Sequence, residues 1–159
     1  MSRRIREVKR EIRILGLDEC NPGRTVGVVV RGGTCLDGVI TFPRDLRNPS
    51  RERAKWIVES AYFPEIRAIM LHDQGGELDS PSIERITELL TIAISENEPS
   101  GRRGYKRMNG NTGWLWVRTR IQSAILKKIL AASWTTGKLP EPLRVAHLLA
   151  RLDLPKSPG

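Results

Sequence analysis

The hydrophobic period of this chain changes partway along it, and that change limits the folds open to it. In REIRILGLD (10–18), Ile12, Ile14, Gly16 and Asp18 alternate with Arg13, Leu15 and Leu17. A period of two predicts a strand with two distinct faces. RTVGVVVR (24–31) is rich in β-branched residues, which suits a strand covered on both faces. The turn signals CNPG and GGT separate these runs from each other and from CLDGVITF (35–42), so the first third reads as an antiparallel meander. Helical spacing then takes over. In NPSRERAKWIVESAYF, Ser50 suits an N-cap and Glu52 the first turn, and Ala54, Ile57, Val58 and Ala61 form the apolar stripe.

EIRAIML (65–71) reads as a fourth strand, SPSIERITELL (80–90) as a helix with Pro in its first turn, and TIAIS (91–95) as a fifth strand. Strand, helix, strand, helix, strand predicts parallel crossovers. The expected fold is α/β, with a mixed five-stranded sheet and flanking helices. ENEPSGRRGYKRMNGN (96–111) reads as a mobile basic loop. TGWLWVRTRIQSAILKKILAASW (112–134) reads as one long helix with Leu115, Ile121, Ile125 and Ile129 on one side. A last helix starts near Pro140. With no internal repeat, 159 residues suit a single domain.

The formal net charge is +9, and 20 of the 27 basic residues are Arg. The guanidinium fork matches phosphate oxygens, so the bias points to an anionic partner, although a solvated basic surface has the same composition. Cys20 and Cys35 are too few for a disulfide framework and match no zinc pattern, so both are expected to be buried thiols in a reducing compartment. No apolar run approaches a membrane span, and the basic N-terminus lacks an apolar core behind it. A cytoplasmic protein is expected.

Three places carry residues suited to chemistry. Asp18 ends the first strand, where a rigid backbone can offer a carboxylate to a metal, or where an Asp can simply start a turn. LHDQGGELD (71–79) brings His72, Asp73, Glu77 and Asp79 to the carboxyl end of the fourth strand, the edge where open α/β sheets bind ligands. A polar loop before a helix reads the same way. In LPEPLRVAHLL (139–149), Glu141 and Pro142 suit a helix start, and Arg144, His147 and Arg151 share one face. A half-buried surface histidine fits that pattern equally well.

REIRILGLDE, VGVVVRGGTCLDGV, IRAIML and LPEPLRVAHLLA together resemble an archaeal family, domain-of-unknown-function family ninety-nine, also called the endonuclease dU family and related to endonuclease V. The Pro-Glu-Pro-x-Arg-x-Ala-His segment is the most specific element. The resemblance implies a ribonuclease H-like fold. It also implies Mg²⁺- or Mn²⁺-dependent endonuclease chemistry, in DNA repair, on nucleic acid carrying deaminated bases such as deoxyuridine. Asp18 matches the first-strand aspartate and His147 the late-helix histidine, while Glu141 and Arg144 match the helix start, with Arg144 free to reach a carboxylate or a phosphate. The family has MLDG after the fourth strand where this chain has MLHDQGG. Either Asp73 supplies the second carboxylate after a one-residue shift, or His72 stands in its place. Asp45 and Glu52 are the nearest substitutes for an acidic stretch that the family carries before the first helix. The expected catalytic set is therefore Asp18, Asp73 and His147, with Asp18 and Asp73 on the metal. Nucleic acid, DNA foremost, would meet Arg102, Arg103, Tyr105, Lys106, Arg107 and Arg144. The alternatives are a nucleic-acid-binding relative whose catalytic set has decayed, and a structural or partner-binding protein.

Overall fold

The computed structural model describes residues 5, 7–21, 24–44, 46–75, 78–101 and 103–152. The chain runs β1 (Arg13–Asn21), β2 (Arg24–Arg31), β3 (Cys35–Thr41), α1 (Pro49–Glu59), β4 (Ala68–His72), α2 (Ser80–Thr87) and β5 (Leu90–Ser95), then β6 (Lys106–Asn109), β7 (Trp114–Arg118), α3 (Ser123–Ser133) and α4 (Glu141–Arg151). One mixed sheet holds all the strands in the order β3-β2-β1-β4-β5-β7-β6. The meander β1-β2-β3 is antiparallel, β1, β4 and β5 are mutually parallel, and β7 and β6 return antiparallel.

The sheet has seven strands rather than the expected five, and the long helix expected over 112–134 does not form. Its first part is β7, paired with β5 through Ala93↔Arg118 and Ser95↔Trp116. Leu115 and Val117 are buried there, while Trp114 is exposed and Trp116 and Arg118 are intermediate. This is a period-two pattern rich in aromatic and β-branched residues. The NGNTG stretch is a tight turn, with the Gly110 N–H donating to the Gly113 carbonyl at 2.6 Å. The turn joins β6 to β7, and Lys106 and Arg107 belong to a strand rather than a loop. Helix α1 is capped by Asn48, not Ser50: the Asn48 side chain accepts from the Arg51 N–H at 3.2 Å. Cys35 is exposed at the start of β3, contrary to the buried thiol expected, because β3 is an edge strand with one open face. The Cys20 side chain lies outside the described part. Among the described residues no helix is long and apolar enough to cross a membrane.

Alternation sorts the core. Odd positions of β1 and β4 (Leu15, Leu17, Ile69, Leu71) pack with Ile57 of α1 and Ile83 of α2. Even positions (Ile14, Ala68, Met70), with Ile92 and Ile94 of β5, pack with Ile129 of α3 and Leu143 of α4. Val26, Val28 and Val30 meet Ala146 and Ala150 of α4. The sheet is therefore sandwiched, with α1 and α2 on one face and α3 and α4 on the other.

Helix α4 sits unusually close to β1. A Cβ built on Gly16 would lie 2.3 Å from the Pro142 carbonyl oxygen and 2.9 Å from the Pro142 Cβ. Only a residue without a side chain lets the helix backbone settle there. We expect Gly16→Ala to destabilise the protein by about 1–3 kcal/mol through overpacking, read from chemical denaturation. A wild-type midpoint in that variant would show that α4 does not rest on this contact.

Candidate metal centre at the strand ends

The close contact at Gly16 fixes what lies further along. Five residues of α4 beyond Pro142 advance about 7.5 Å, and two residues of β1 beyond Gly16 advance about 6.6 Å. That arithmetic sets His147 beside Asp18. Asp18 Oδ2 is 3.1 Å from His147 Nδ1 and 2.6 Å from His72 Nδ1. His72 is the last residue of β4, one register step beyond Leu17↔Leu71. The two imidazoles meet edge to face, with ring centroids 5.3 Å apart. Asp18, His72 and His147 each offer one ligand atom, and these atoms lie within 4.8 Å of one another.

Asp18 and His72 are almost wholly buried, and His147 is partly exposed. Asp18 Oδ1 is buried with no hydrogen-bond partner among the described residues. A buried carboxylate oxygen in that state is costly unless a cation or ordered water completes it. Gln74 supports the cluster, its Nε2 lying 3.0 Å from His72 Nδ1 and 3.3 Å from His147 Nδ1. The far nitrogen of His72, Nε2, lies 3.0 Å from Glu96 Oε1, and Glu96 in turn meets Lys138 at 3.1 Å. Burial pushes the Glu96 carboxyl up, but the hydrogen bonds and charges of Lys138 and His72 outweigh it and hold the group below the ordinary carboxylate value. A donor set of one carboxylate and two imidazoles with an orphaned buried oxygen suits a divalent metal ion.

Of the residues expected from the sequence, Asp18 and His147 come together and Asp73 does not join them. Asp73 is one residue past His72, and a one-residue step along a strand reverses the face. Its carboxylate instead accepts from the Tyr105 hydroxyl, and its other oxygen accepts from the Gly75 N–H at 3.0 Å. The fork left open at MLHDQGG thus places His72, not Asp73, beside Asp18. Glu52 serves the start of α1, its Oε2 accepting from the Asn48 N–H at 3.4 Å. Asp79 stands at the N-cap position of α2, where its side chain accepts from the Ser82 hydroxyl at 2.6 Å rather than from a backbone N–H. Asp45, Glu77 and Arg102 lie outside the described residues. Glu141 and Arg144 hold each other in a two-pronged pair at 2.6 and 2.7 Å, and Arg144 keeps the Glu141 carboxyl below its ordinary value. Tyr105 is flanked by Arg118, whose guanidinium carbon lies 5.0 Å from the ring centroid, and Arg107 lies 4.3 Å over Trp114.

Glu96, Gln74 and Lys138 were not singled out from the sequence. Glu96 follows a strand whose even positions face α3 and α4, so its parity with Ile92 and Ile94 was the available signal. An open cleft of about 500 Å³ lies over this edge, lined by His72, Gln74, Glu96 and Lys138 among others. A second recess of about 350 Å³, lined by Tyr105, Arg107 and Trp116, shares Glu98 and Pro99 with it.

These features define a class: an α/β protein with a mixed seven-stranded sheet, two flanking helix layers, and a candidate metal centre at the ends of its parallel strands. Solved structures share that fold. A protein of unknown function from Archaeoglobus fulgidus superposes with a TM-score of 0.66 at 19% identity, covering 87% of this chain and 96% of its own. Endonuclease V of Ciona intestinalis, bound to DNA containing an inosine, gives 0.54 at 10% identity over 88% of this chain and 84% of its own. Argonaute of Marinitoga piezophila, with guide RNA and target DNA, gives 0.60 at 10% identity over 92% of this chain and 31% of its own. The relation to endonuclease V expected from the sequence thus holds at the level of fold.

No family model matches the chain. The UPF0215 protein of Methanosarcina mazei is 30% identical over 178 residues, covering 90% of this chain and 91% of its own. That of Methanopyrus kandleri is 26% identical over 184 residues, covering 92% and 93%. The chain belongs to the UPF0215 family.

One neighbour of the cluster is not available as a ligand. Glu19 follows Asp18 but points to the α1 face, where its Oε2 lies 3.3 Å from Nη1 of Arg53 and its Oε1 accepts from the Leu78 N–H at 2.9 Å. Arg53 is 1% exposed and Glu19 6%. Removing one member strands a buried charge. We expect Arg53→Met to destabilise the fold by about 3–5 kcal/mol, and the Glu19→Gln/Arg53→Met pair to recover most of that, both measured by denaturant unfolding. Equal losses in the single and double variants would show that packing, not charge, dominates here.

Proposed function

We propose that this protein is a metal-dependent endonuclease that cleaves a phosphodiester near a deaminated base such as deoxyuridine, working in DNA repair as a single ribonuclease H-like domain over residues 1–159. The observation that carries the reading is Asp18, buried between His72 and His147 with an oxygen that has no hydrogen-bond partner among the described residues, and His72 of the same cluster lines an open cleft. The meander followed by parallel strands, in the order β3-β2-β1-β4-β5, is the sheet that the ribonuclease H-like expectation implies. Two proteins of similar fold have structures with nucleic acid, one of them an endonuclease V on DNA containing an inosine.

Asp18, His72 and His147 would hold the metal. A bound divalent ion supplies an activated water and charge neutralisation on the leaving oxygen. The chain's own residues do the rest. Asp18 brings the only carboxylate of the three and is fixed by the rigid end of β1. His147, on α4, is the partly exposed member of the three and would be the one nearest to substrate. Gln74 lies within hydrogen-bond reach of both Nδ1 atoms and would orient the rings until an ion takes their lone pairs. The basic hairpin formed by β6 and β7, with Arg103 just before it and Lys106 and Arg107 within it, would take the phosphates that lead away from the cleft. The Tyr105 hydroxyl is engaged by Asp73, so its role is to fix the hairpin to the end of β4 rather than to wedge freely between bases. Arg144 is engaged by Glu141 and would meet a phosphate only from that pair.

A second reading, a nucleic-acid-binding relative without catalysis, draws on one observation: Asp73 faces Tyr105, leaving a single carboxylate in the cluster among the described residues. One assay separates the two. Purified protein is given uracil-, hypoxanthine- and undamaged DNA with divalent metal or with chelator. We expect cleavage beside the deaminated base only with metal, abolished by Asp18→Ala and reduced about 10–100-fold by His147→Ala. Cleavage that persists in chelator sinks the mechanism. Binding without cleavage under any metal favours the second reading.

The hairpin makes its own prediction. Arg103→Ala and Lys106→Ala should weaken binding evenly across sequences and lower the salt slope by about one charge for each phosphate no longer neutralised. Unchanged affinity and slope in the double variant would remove the hairpin from the interface.

A further inference from the structure

We propose that the Asp18–His72–His147 centre is built for a nitrogen-preferring first-row transition-metal dication, in the Zn²⁺, Co²⁺ and Mn²⁺ range, rather than Mg²⁺, and that Glu96 is the positioning residue that makes His72 a ligand. This deepens the nuclease reading and rests on it for the site's role, but not for its binding chemistry.

The donor atoms decide the preference. Mg²⁺ takes oxygen ligands and keeps its waters, whereas imidazole nitrogen suits the first-row transition metals. Two of the three donors here are imidazole nitrogens, and a single carboxylate stands between them. Among the described residues, the two acidic side chains next to Asp18 and His72 in sequence are committed elsewhere. Asp73 faces Tyr105 and the Gly75 N–H, and Glu19 faces Arg53.

The hydrogen bonds outside the cluster set the tautomer. Glu96 Oε1 sits 3.0 Å from His72 Nε2, so the ring donates its Nε2–H to that carboxylate. In the neutral ring the lone pair is then on Nδ1, the atom 2.6 Å from Asp18 Oδ2. A ligating histidine whose second nitrogen donates to a carboxylate is the usual outer arrangement of a metal-bound imidazole. Lys138 anchors Glu96 at 3.1 Å, which keeps that acceptor aimed at the ring. Gln74 is consistent with the same tautomers. Its amide nitrogen has two hydrogens and lies 3.0 and 3.3 Å from the two Nδ1 atoms, so without an ion it can donate one to each lone pair, and it must give both up when a metal takes them. Asp18 Oδ2 and two Nδ1 lone pairs then converge at 2.6 and 3.1 Å. Three electron-pair donors that close repel unless a proton or a cation lies among them. Adjacent ligands around one ion with bonds of about 2.1 Å lie roughly 3.0–3.4 Å apart, so the His147 pair already has that spacing and the His72 pair would open by a few tenths of an ångström. Asp18 Oδ1, buried and unpartnered, is a second oxygen for the same ion.

The rival is a purely structural arrangement, in which His72 is an imidazolium clamped between Asp18 and Glu96 and no metal enters. Direct binding separates them. The full-length protein, stripped with chelator, is titrated calorimetrically with Zn²⁺ and with Mg²⁺, and with Co²⁺ while visible absorption is recorded. We expect Zn²⁺ and Co²⁺ to bind one site orders of magnitude more tightly than Mg²⁺, with d–d bands showing nitrogen ligation. His72→Asp should weaken Zn²⁺ binding and strengthen Mg²⁺ binding. Because His72 is buried, that variant can fail to fold. Glu96→Gln, at a partly exposed position, should leave the thermal midpoint near wild type while lowering Zn²⁺ affinity about 10–100-fold. Absence of Zn²⁺ and Co²⁺ binding, Mg²⁺ affinity equal to theirs, or a Glu96→Gln variant that binds Zn²⁺ like wild type would each overturn the proposal. Tight Zn²⁺ binding without cleavage of any nucleic acid would sink the nuclease reading and leave this one standing. Cleavage supported by Mg²⁺, with Mg²⁺ affinity equal to that of Zn²⁺, would do the reverse.

Discussion

The contact between Gly16 and Pro142 is the constraint on which the rest of the site depends. A glycine in the middle of a central strand weakens that strand and gives it no side chain to pack. Here it lets the backbone of α4 lie directly on β1, closer than any Cβ would allow. Once that distance is fixed, helix and strand advance together, and His147 arrives beside Asp18. The small residues Ala146 and Ala150 continue the close approach over Val26, Val28 and Val30 of β2. A protein that seats a helix this tightly can hold an imidazole beside a buried carboxylate without a long flexible side chain to reach it.

Strand parity does the remaining sorting. Asp18, His72 and Glu96 lie on or just past three neighbouring parallel strands, all with the parity of the α3–α4 face. Their immediate neighbours Glu19 and Asp73 have the opposite parity and are taken up by Arg53 and Tyr105. Acidic residues adjacent in sequence thus do unrelated jobs. One carboxylate enters the cluster, one anchors α1, and one ties the β6–β7 hairpin to the end of β4. The irregular register between Asp18 and Asn21 fits the same picture, since bulges beside functional sites re-aim side chains at the end of a ladder.

The cleft extends the cluster outward. The recess over His72 and Glu96 adjoins the one lined by Tyr105, Arg107 and Trp116, so a path with basic and aromatic residues leads away from the candidate metal centre. Arg107 over Trp114 and Arg118 over Tyr105 stiffen that path. Cation–π pairs of this kind hold guanidinium groups in place near the surface, where a polyanion can meet them.

Periodicity alone determined the meander, the alternation of strands and helices through β5, and the start of the last helix, because each of those segments has a local pattern that only one kind of element satisfies. Asp18, Glu141, Arg144 and His147 stood out in sequence through their motifs. The WLWVR segment had a legible period of two, but the helical stretch beyond it masked the signal, and only pairing with β5 made it a strand. The fork between His72 and Asp73 was open in sequence, since where β4 ends depends on its ladder with β5, which runs through His72↔Ile94. Glu96, Lys138 and Gln74 carry no motif, and the Glu19–Arg53 pair joins residues whose separation in the chain hides their contact. Tertiary structure decided these because a buried polar group takes its meaning from whatever partner reaches it, and that partner comes from another strand or helix.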